Sequence, residues 1–320
     1  MENSIKRLLF NVYYFVSWIV YFVFLRLFFL IYHIDKTKEL DLFTTLKTFL
    51  YGLQLDIAFT AYLSIIPFLL MVFSVFISPK KIGTIIKWYS YILLVFINLL
   101  LLIDAGLYQS WGVRLDTSIL PYLNTPELMI ASVSSFQLIS GILFWILFSI
   151  ICVKIFKNII HKKIEKVRVS HWIQIPAFLL ITACLIIPLR GGFQTIPVNQ
   201  SNVYFSNQMF ANHAAINFTW NFFNTLTHKV DGKNPYKYFD DEVAQKIITK
   251  NRTKLLTANT DSILNTTKPN VILIIWEGLT AKVVGSLGGE PTVTQNLNKL
   301  SEEGILFTNF YANGDRTDKG

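Results

Sequence analysis

Two stretches of the chain carry residue types that could do chemistry together. Residues 270–278 read NVILIIWEG, an apolar run that stops on Glu277 and Gly278. Residues 309–320 read NFYANGDRTDKG, a turn-rich stretch that holds Arg316 and Thr317. A carboxylate and a hydroxyl brought to one place suggest a metal site. There the metal would lower the hydroxyl pKa and hold Thr317 as a nucleophile. If TDKG opens a helix, its first amides would also favour a phosphate group. Arg316, beside the threonine, reads either as a phosphate contact or as a solvated turn charge.

The intervening elements must bring these groups together. The unbroken run NVILIIWEG predicts a buried parallel strand, and ILFTNFYAN predicts a second. Between them PTVTQNLNKLSEEG predicts a helix, with Leu297 and Leu300 three apart and Gly304 placed to end it. Strand, helix and strand make one βαβ unit of an α/β domain. Ligands bind beyond the carboxyl ends of such strands, and in a parallel pair both ends share one sheet edge. Glu277 and Thr317 are therefore expected to converge despite their separation in sequence.

The rest of the chain has a different character. Of its 320 residues 52% are hydrophobic and 15% aromatic, the mean hydropathy is +0.45 and the net charge +9. Such values point to membrane spans. Five runs approach or exceed the roughly 18–20 apolar residues that cross a bilayer. They are Leu8–Ile34, Leu53–Ile77, Trp88–Tyr108, Phe136–Phe156 and Trp172–Leu189. The last contains Pro176 and Pro188, which neighbouring helices can accommodate. The basic start MENSIKRLLF leads straight into the first run, which is too long for a signal-peptide core and reads as an uncleaved span.

Placing the charges explains most of the basic balance. Lys6 and Arg7, then Lys80, Lys81 and Lys87, then Lys157, Lys162, Lys163, Lys166 and Arg168 fall on one side of the spans. On the other side Lys36, Lys38 and Lys47 are offset by Asp35, Glu39 and Asp41, and Arg114 by Asp116 and Glu127. The positive-inside bias puts the N-terminus in the cytoplasm and everything after Leu189 outside. Nucleic acid is accordingly excluded as a partner. Both cysteines, Cys152 and Cys184, lie in apolar runs, so the outer part carries no disulfide and no cysteine-based zinc site.

The outer part opens on an aromatic, asparagine-rich stretch. Phe205, Met209, Ile216, Trp220 and Phe223 recur near helical spacing, which predicts a helix lying on the outer leaflet. HKVDGKNPYKYFDDE reads as a linker, and Asp240 is placed to cap a helix running to about Leu256. Asn199-Gln200-Ser201 matches a glycosylation acceptor only by chance. Arg26, Asp56 and Asp104 lie inside or at the edge of spans, where ionisable groups pair or line a site. The expectation is an Arg26–Asp104 pair tying helices together, with Asp56 snorkelling from near a helix end. A lipid head-group site is the alternative, and His213 could touch such a group.

PNVILIIWEG and PTVTQNLNKLSEEGILFTNFYANGDRTDKG together resemble the opening of a sulfatase-like domain of the alkaline-phosphatase superfamily. With five spans and RGGFQTIPVNQSNVYFSNQMFANHAAINFTWNFF ahead of it, the chain is similar to the lipoteichoic acid synthase group of phosphoglycerol transferases. YGLQLD, which contains Asp56, also resembles a family segment. The resemblance implies a polytopic α-helical membrane domain of five transmembrane helices (1–190), juxtamembrane helices and a linker (191–268), and the start of an extracytoplasmic α/β sulfatase-like domain (269–320). It implies location in the bacterial cytoplasmic membrane. It also implies a divalent cofactor, manganese first, with zinc or magnesium as alternatives. By the same resemblance Glu277 would be the first metal ligand, and Thr317 the nucleophile that becomes phosphorylated and also ligates the metal. Phosphoglycerol would pass from phosphatidylglycerol to a glycan or lipid acceptor. A phosphoethanolamine transferase of the same superfamily and a non-catalytic membrane scaffold are the alternative readings. A true sulfatase would want a Cys or Ser in a Cys/Ser-x-Pro-x-Arg setting where this chain has TDKG. The family's remaining metal ligands, an Asp-His pair, and its substrate-binding His and Arg lie downstream of the nucleophile. The expectation is therefore a portion of a longer enzyme, inactive alone.

Overall fold

A computed structural model describes residues 2–124, 127, 134–164, 172–227, 238–256, 266, 268–276 and 278–311. The chain divides into two compact units, Met1–Pro235 and Tyr236–Gly320.

The first unit is helical. Its long helices are α1 (Glu2–Tyr32), α3 (Leu42–Phe73), α4 (Pro79–Trp111) and α5 (Ser135–Ile164), with a short α2 (Ile34–Lys38) after α1. A broken fifth helix follows as α6 (Ile175–Ala183) and α7 (Ile186–Arg190). Five segments are long and apolar enough to cross a membrane: Ser4–Tyr32, Leu42–Phe73, Pro79–Trp111, Ser135–Ile160 and Trp172–Arg190. They contain the five runs expected from composition, apart from residues at the ends of the first two. The second span begins at Leu42 rather than Leu53.

Prolines shape two of these helices. Pro67, inside α3, cannot donate to the Leu63 carbonyl four residues back. The Tyr89 hydroxyl of α4 donates to that carbonyl instead, at 3.0 Å. Such rescue by a neighbouring helix is how proline is tolerated where water is absent. Pro188 stands four residues after Cys184, and the helix breaks there, at Cys184–Leu185. Beyond α7 the chain reverses in a Schellman turn. Gly191 N–H donates to Pro188 O at 3.0 Å and Gly192 N–H to Ile187 O at 2.9 Å. Gly191 takes φ +80°, and a Cβ there would meet the Val198 Cβ at 2.6 Å. The Arg190 guanidinium closes the turn onto the carbonyls of Gln194 (3.3 Å) and Thr195 (3.0 Å).

The bundle core is aromatic. Trp18, fully buried, packs against Phe156 at 5.0 Å and Tyr21 at 5.5 Å between ring centroids. Small residues let α4 and α5 approach: a Cβ on Gly83 would sit 2.8 Å from Ile164, and one on Gly141 3.3 Å from Leu102. Buried polar groups bridge helices. Tyr21 OH donates to Asn98 Oδ1 (2.7 Å), and Asn98 Nδ2 donates to Ser149 Oγ (3.2 Å).

The aromatic, asparagine-rich segment packs onto this bundle as two helices, α8 (Met209–Ala215) and α9 (Phe218–Thr227). This corrects the expectation of a single helix on the outer leaflet. Ile216 and Trp220 are buried, whereas Met209 and Phe223 of the same supposed stripe are exposed. The break falls at Ile216–Asn217, where Asn217 Oδ1 accepts from Trp220 N–H (2.9 Å) and Thr219 Oγ1 (2.6 Å) and so starts α9. Asn199 also has a structural role. Its side chain accepts from Ser201 N–H and caps the short 3-10 helix Gln200–Val203.

The second unit contains α10 (Asp241–Leu256) and α11 (Gln295–Glu303). Asp240 precedes α10, its carbonyl accepting from Ala244 N–H at 2.9 Å. Gly304 ends α11, as expected, in an extended conformation. Two 3-10 turns, Ala281–Val283 and Gly285–Leu287, precede α11. Thr294 Oγ1 donates to Val283 O of the first at 2.8 Å, and Asn298 accepts from Ser286 N–H of the second and donates to Pro291 O, each at 3.1 Å. Neither expected strand forms among the described residues. Val271–Trp276 is extended in sequence character but 63–88% exposed, and residues 305–307 take no regular form. A parallel strand needs a ladder partner and cover on both faces, and the described residues give these two segments neither.

Replacing Gly191 with alanine should cost about 1–2 kcal/mol through its left-handed conformation, with further loss from the Val198 contact. Thermal unfolding of the detergent-solubilised chain measures this, and an unchanged midpoint would contradict the turn described.

Candidate functional site

Glu277, Arg316 and Thr317, the residues expected to carry chemistry, lie outside the described residues. Among the described residues no three His, Cys, Asp or Glu side chains come together in a way that could hold a metal ion. Among the described residues of the first unit, the buried charges Arg26, Asp56, Asp104 and Arg114 form one construction, while buried Arg7 lies apart from it and donates to Ser74 O at 3.1 Å.

Arg26 comes from the last third of α1 and Asp56 from α3. The guanidinium meets the carboxylate in a fork, Nη1 to Oδ2 at 2.6 Å and Nη2 to Oδ1 at 2.9 Å, with both side chains almost fully buried. The same guanidinium donates through Nε to Ala214 O (3.0 Å) and through Nη2 to Ala215 O (3.1 Å). Arg114, just past α4, repeats the pattern. Its Nε and Nη2 hold Asp104 at 3.1 and 2.9 Å, and its Nη1 donates to His213 O at 2.9 Å. His213, Ala214 and Ala215 are the last three residues of α8. A helix end leaves its final carbonyls short of intrahelical partners. Here Arg26 takes those of Ala214 and Ala215, and Arg114 shares that of His213 with Ile216 N–H, which donates to it at 3.1 Å. Cations also suit the negative end of the helix dipole.

This arrangement corrects the expected Arg26–Asp104 pair. Arg26 pairs with Asp56, and Asp104 pairs with Arg114, whose offset was expected from Asp116 and Glu127. Asp116 instead accepts from Ser118 N–H at 2.9 Å. Asp56 does not snorkel. With α3 beginning at Leu42, Asp56 lies about four turns inside the helix, and it is 1% exposed. Its second partner is Asn217, whose Nδ2 donates to Asp56 Oδ1 at 2.9 Å. So Asn217 both starts α9 and ties it to α3.

The sequence signals that would have found these partners are small. Gly52 and Asp56 are one helical turn apart in YGLQLD, hence on one face. A Cβ at Gly52 would collide with the Arg26 guanidinium and with Ala215 O. The glycine makes room for the arginine that the aspartate holds. Asn221 works similarly in α9, donating to Leu115 O at 2.9 Å.

Beside this clasp lies an aromatic and basic cluster. The Tyr108 hydroxyl meets His213 Nδ1 at 3.1 Å. His33 packs on the Tyr108 ring, centroids 5.0 Å apart, and on Phe29 at 4.7 Å. Lys36 Nζ stands 4.8 Å from the Tyr108 ring centre, and the Arg114 guanidinium 3.9 Å from that of Phe29. Both imidazoles have their pKa pushed down to about 4. Burial comes first in each, followed by Lys36 and Arg114 at His33 and by Arg114 and Lys36 at His213. Both are therefore neutral near pH 7.

The clasp uses its own donors and acceptors internally, so it positions the segment after α7 and does not itself react. Arg26→Met and Asp56→Asn should each destabilise the first unit by about 3–5 kcal/mol. The double variant should lose far less than the sum, while Arg26→Met with Asp104→Asn should be closer to additive. Chemical denaturation in detergent measures the cycle, and equal coupling in both pairs would contradict the pairing.

No solved structure matches this chain. Residues 269–320 match the protein-family model described as Sulfatase, a family whose enzymes generally use a divalent metal. A helical region with five candidate membrane-spanning helices is thus followed by a segment similar to the start of a sulfatase-type domain.

Proposed function

We propose that this protein is a membrane-anchored phosphoglycerol transferase of the lipoteichoic acid synthase type. The observation that carries the reading is the position of the sulfatase match. It begins at residue 269, after five apolar helices, and takes in both Glu277 and Thr317. An enzyme whose donor is a membrane phospholipid benefits from being held at the bilayer. The bias of Lys and Arg toward the N-terminus and the loops after the second and fourth spans supports an orientation with the N-terminus inside the cell and the sulfatase-type domain outside.

In this reading Thr317 Oγ attacks the phosphorus of phosphatidylglycerol and gives up its proton. The phosphorus–oxygen bond to diacylglycerol breaks, and the glyceride oxygen leaves with a proton. An acceptor hydroxyl on a glycan or lipid then attacks the glycerophosphoryl threonine and regenerates the Thr317 hydroxyl. Glu277 and Thr317 would offer hard oxygen donors, which suit manganese or magnesium and are compatible with zinc. A divalent ion there would stabilise negative charge on the transferring phosphoryl group. Arg316 would add a charge-assisted hydrogen bond to the same group.

The test uses the protein produced from its complete gene, incubated with phosphatidylglycerol vesicles and Mn2+ without acceptor. Peptide mass spectrometry should find a glycerophosphoryl group on Thr317, with diacylglycerol released in equal amount. Thr317→Ala should abolish both. A phosphoethanolamine adduct from phosphatidylethanolamine vesicles, with none from phosphatidylglycerol, would replace the donor. No adduct from either lipid would overturn the reading.

A further inference from the structure

We propose that the cluster of His33, Lys36, Tyr108 and His213 is a binding site for the phosphodiester of a phospholipid head group. The assignment to lipid rests on reading the chain as a membrane enzyme that consumes phospholipid. The site itself rests on the geometry of the first unit.

Four elements meet at this point. His33 follows the first span, Lys36 lies on α2, Tyr108 is in the last turn of α4, and His213 is near the end of α8. The Tyr108 ring is the common floor. Lys36 Nζ covers one side of it, His33 packs at 5.0 Å and His213 at 5.6 Å, centroid to centroid. In a bilayer-spanning bundle the ends of the Ser4–Tyr32 and Pro79–Trp111 helices fall at the boundary of the hydrocarbon, where phosphate groups lie.

The charges and donors here are not balanced by protein groups. Lys36 lies over the Tyr108 ring and Arg114 holds the His213 carbonyl, and among the described residues one carboxylate, Asp104, acts on the cluster, already engaged by Arg114. Among the described residues no carboxylate oxygen lies within ion-pair distance of Lys36 Nζ, although Asp35 and Glu39 are its neighbours on the same short helix. His33 is 7% exposed, and its Nε2 is buried with no hydrogen-bond partner. An unpaired buried polar atom of this kind costs free energy that a ligand can recover. The two neutral imidazoles can each donate one hydrogen bond without adding charge. Lys36 is half-buried on a flexible stem, so it can lift from the ring and close on an anion. Two non-bridging oxygens of a phosphodiester match one ammonium and two imidazole donors. The glycerol or other head group would remain on the water side.

The experiment uses the whole chain carrying Thr317→Ala, so that no turnover occurs, in detergent with short-chain lipids below their micelle concentration. Dihexanoyl phosphatidylglycerol should bind and dihexanoylglycerol, which lacks the phosphate, should not. Lys36→Gln should weaken binding about 10-fold or more, as expected for loss of one charge-assisted hydrogen bond. Lys38→Gln, an exposed neighbour on the same helix, should leave it unchanged. His33→Phe keeps the ring packing and should also weaken binding, and Lys36→Gln decides the matter should His33→Phe fail to fold. Inorganic phosphate competing with affinity equal to the lipid would remove the lipid assignment and leave a free-anion site. Equal binding by the parent chain and Lys36→Gln, or binding of dihexanoylglycerol as tight as of the phospholipid, would overturn the proposal. Because transfer is blocked throughout, failure here leaves the phosphoglycerol-transfer reading standing, and failure of the Thr317 adduct leaves this site standing.

Discussion

The first unit depends on how a short helix ends. The seven residues of α8 finish on three carbonyls that face the interior of an apolar bundle. Water cannot satisfy them there, and each unsatisfied group would cost free energy. Arg26 satisfies those of Ala214 and Ala215 at 3.0 and 3.1 Å, and Arg114 adds a 2.9 Å bond to that of His213, which Ile216 N–H also reaches. Two buried cations in turn require two buried anions, Asp56 and Asp104, and Asp56 requires a neighbour with no side chain, Gly52, so that the guanidinium can reach it. The positions of five residues on four elements thus follow from one unmet need.

The same construction sets where the rest of the chain departs. Asn217 follows α8 directly, joins Asp56 and starts α9, so the segment after the last span is fastened to α1, α3 and the loop beyond α4 at once. The Schellman turn at Gly191–Gly192 reverses the chain so that this fastening can occur. A buried polar clasp fixes that segment with more directional specificity than apolar packing alone.

The amino-acid sequence made the five long apolar helices legible because hydropathy over some twenty residues is a strong and additive signal. The ends were less legible. Leu42–Tyr51 contains Thr44, Thr45, Lys47 and Thr48 and reads as polar, yet it is the first part of α3, capped by Asp41, whose side chain accepts from Thr44 N–H at 2.9 Å. Starting that helix too late put Asp56 near an end, and from there the wrong partner for Arg26 followed. Pairing is a three-dimensional property: Arg26 has two aspartates to choose from, and only helix packing selects one. Asn217 illustrates a local signal overshadowed by a stronger one, since the aromatic spacing around it suggested a continuous helix. The strands NVILIIWEG (270–278) and ILFTNFYAN (305–313) are read from apolar continuity, but a strand forms only with a neighbour, which the described residues of neither segment have. Glu277 and Thr317 were singled out from residue type and resemblance, and the Sulfatase match covers both positions.

Hydrogen–deuterium exchange over residues 209–227, with the protein in lipid nanodiscs, tests most directly whether the buried clasp holds this segment to the bundle. The amides of α8 and α9 should exchange as slowly as those at the centre of α3, and Arg26→Met should release them while leaving α4 and α5 protected. Fast exchange across 209–227 in the unmodified protein would contradict the account.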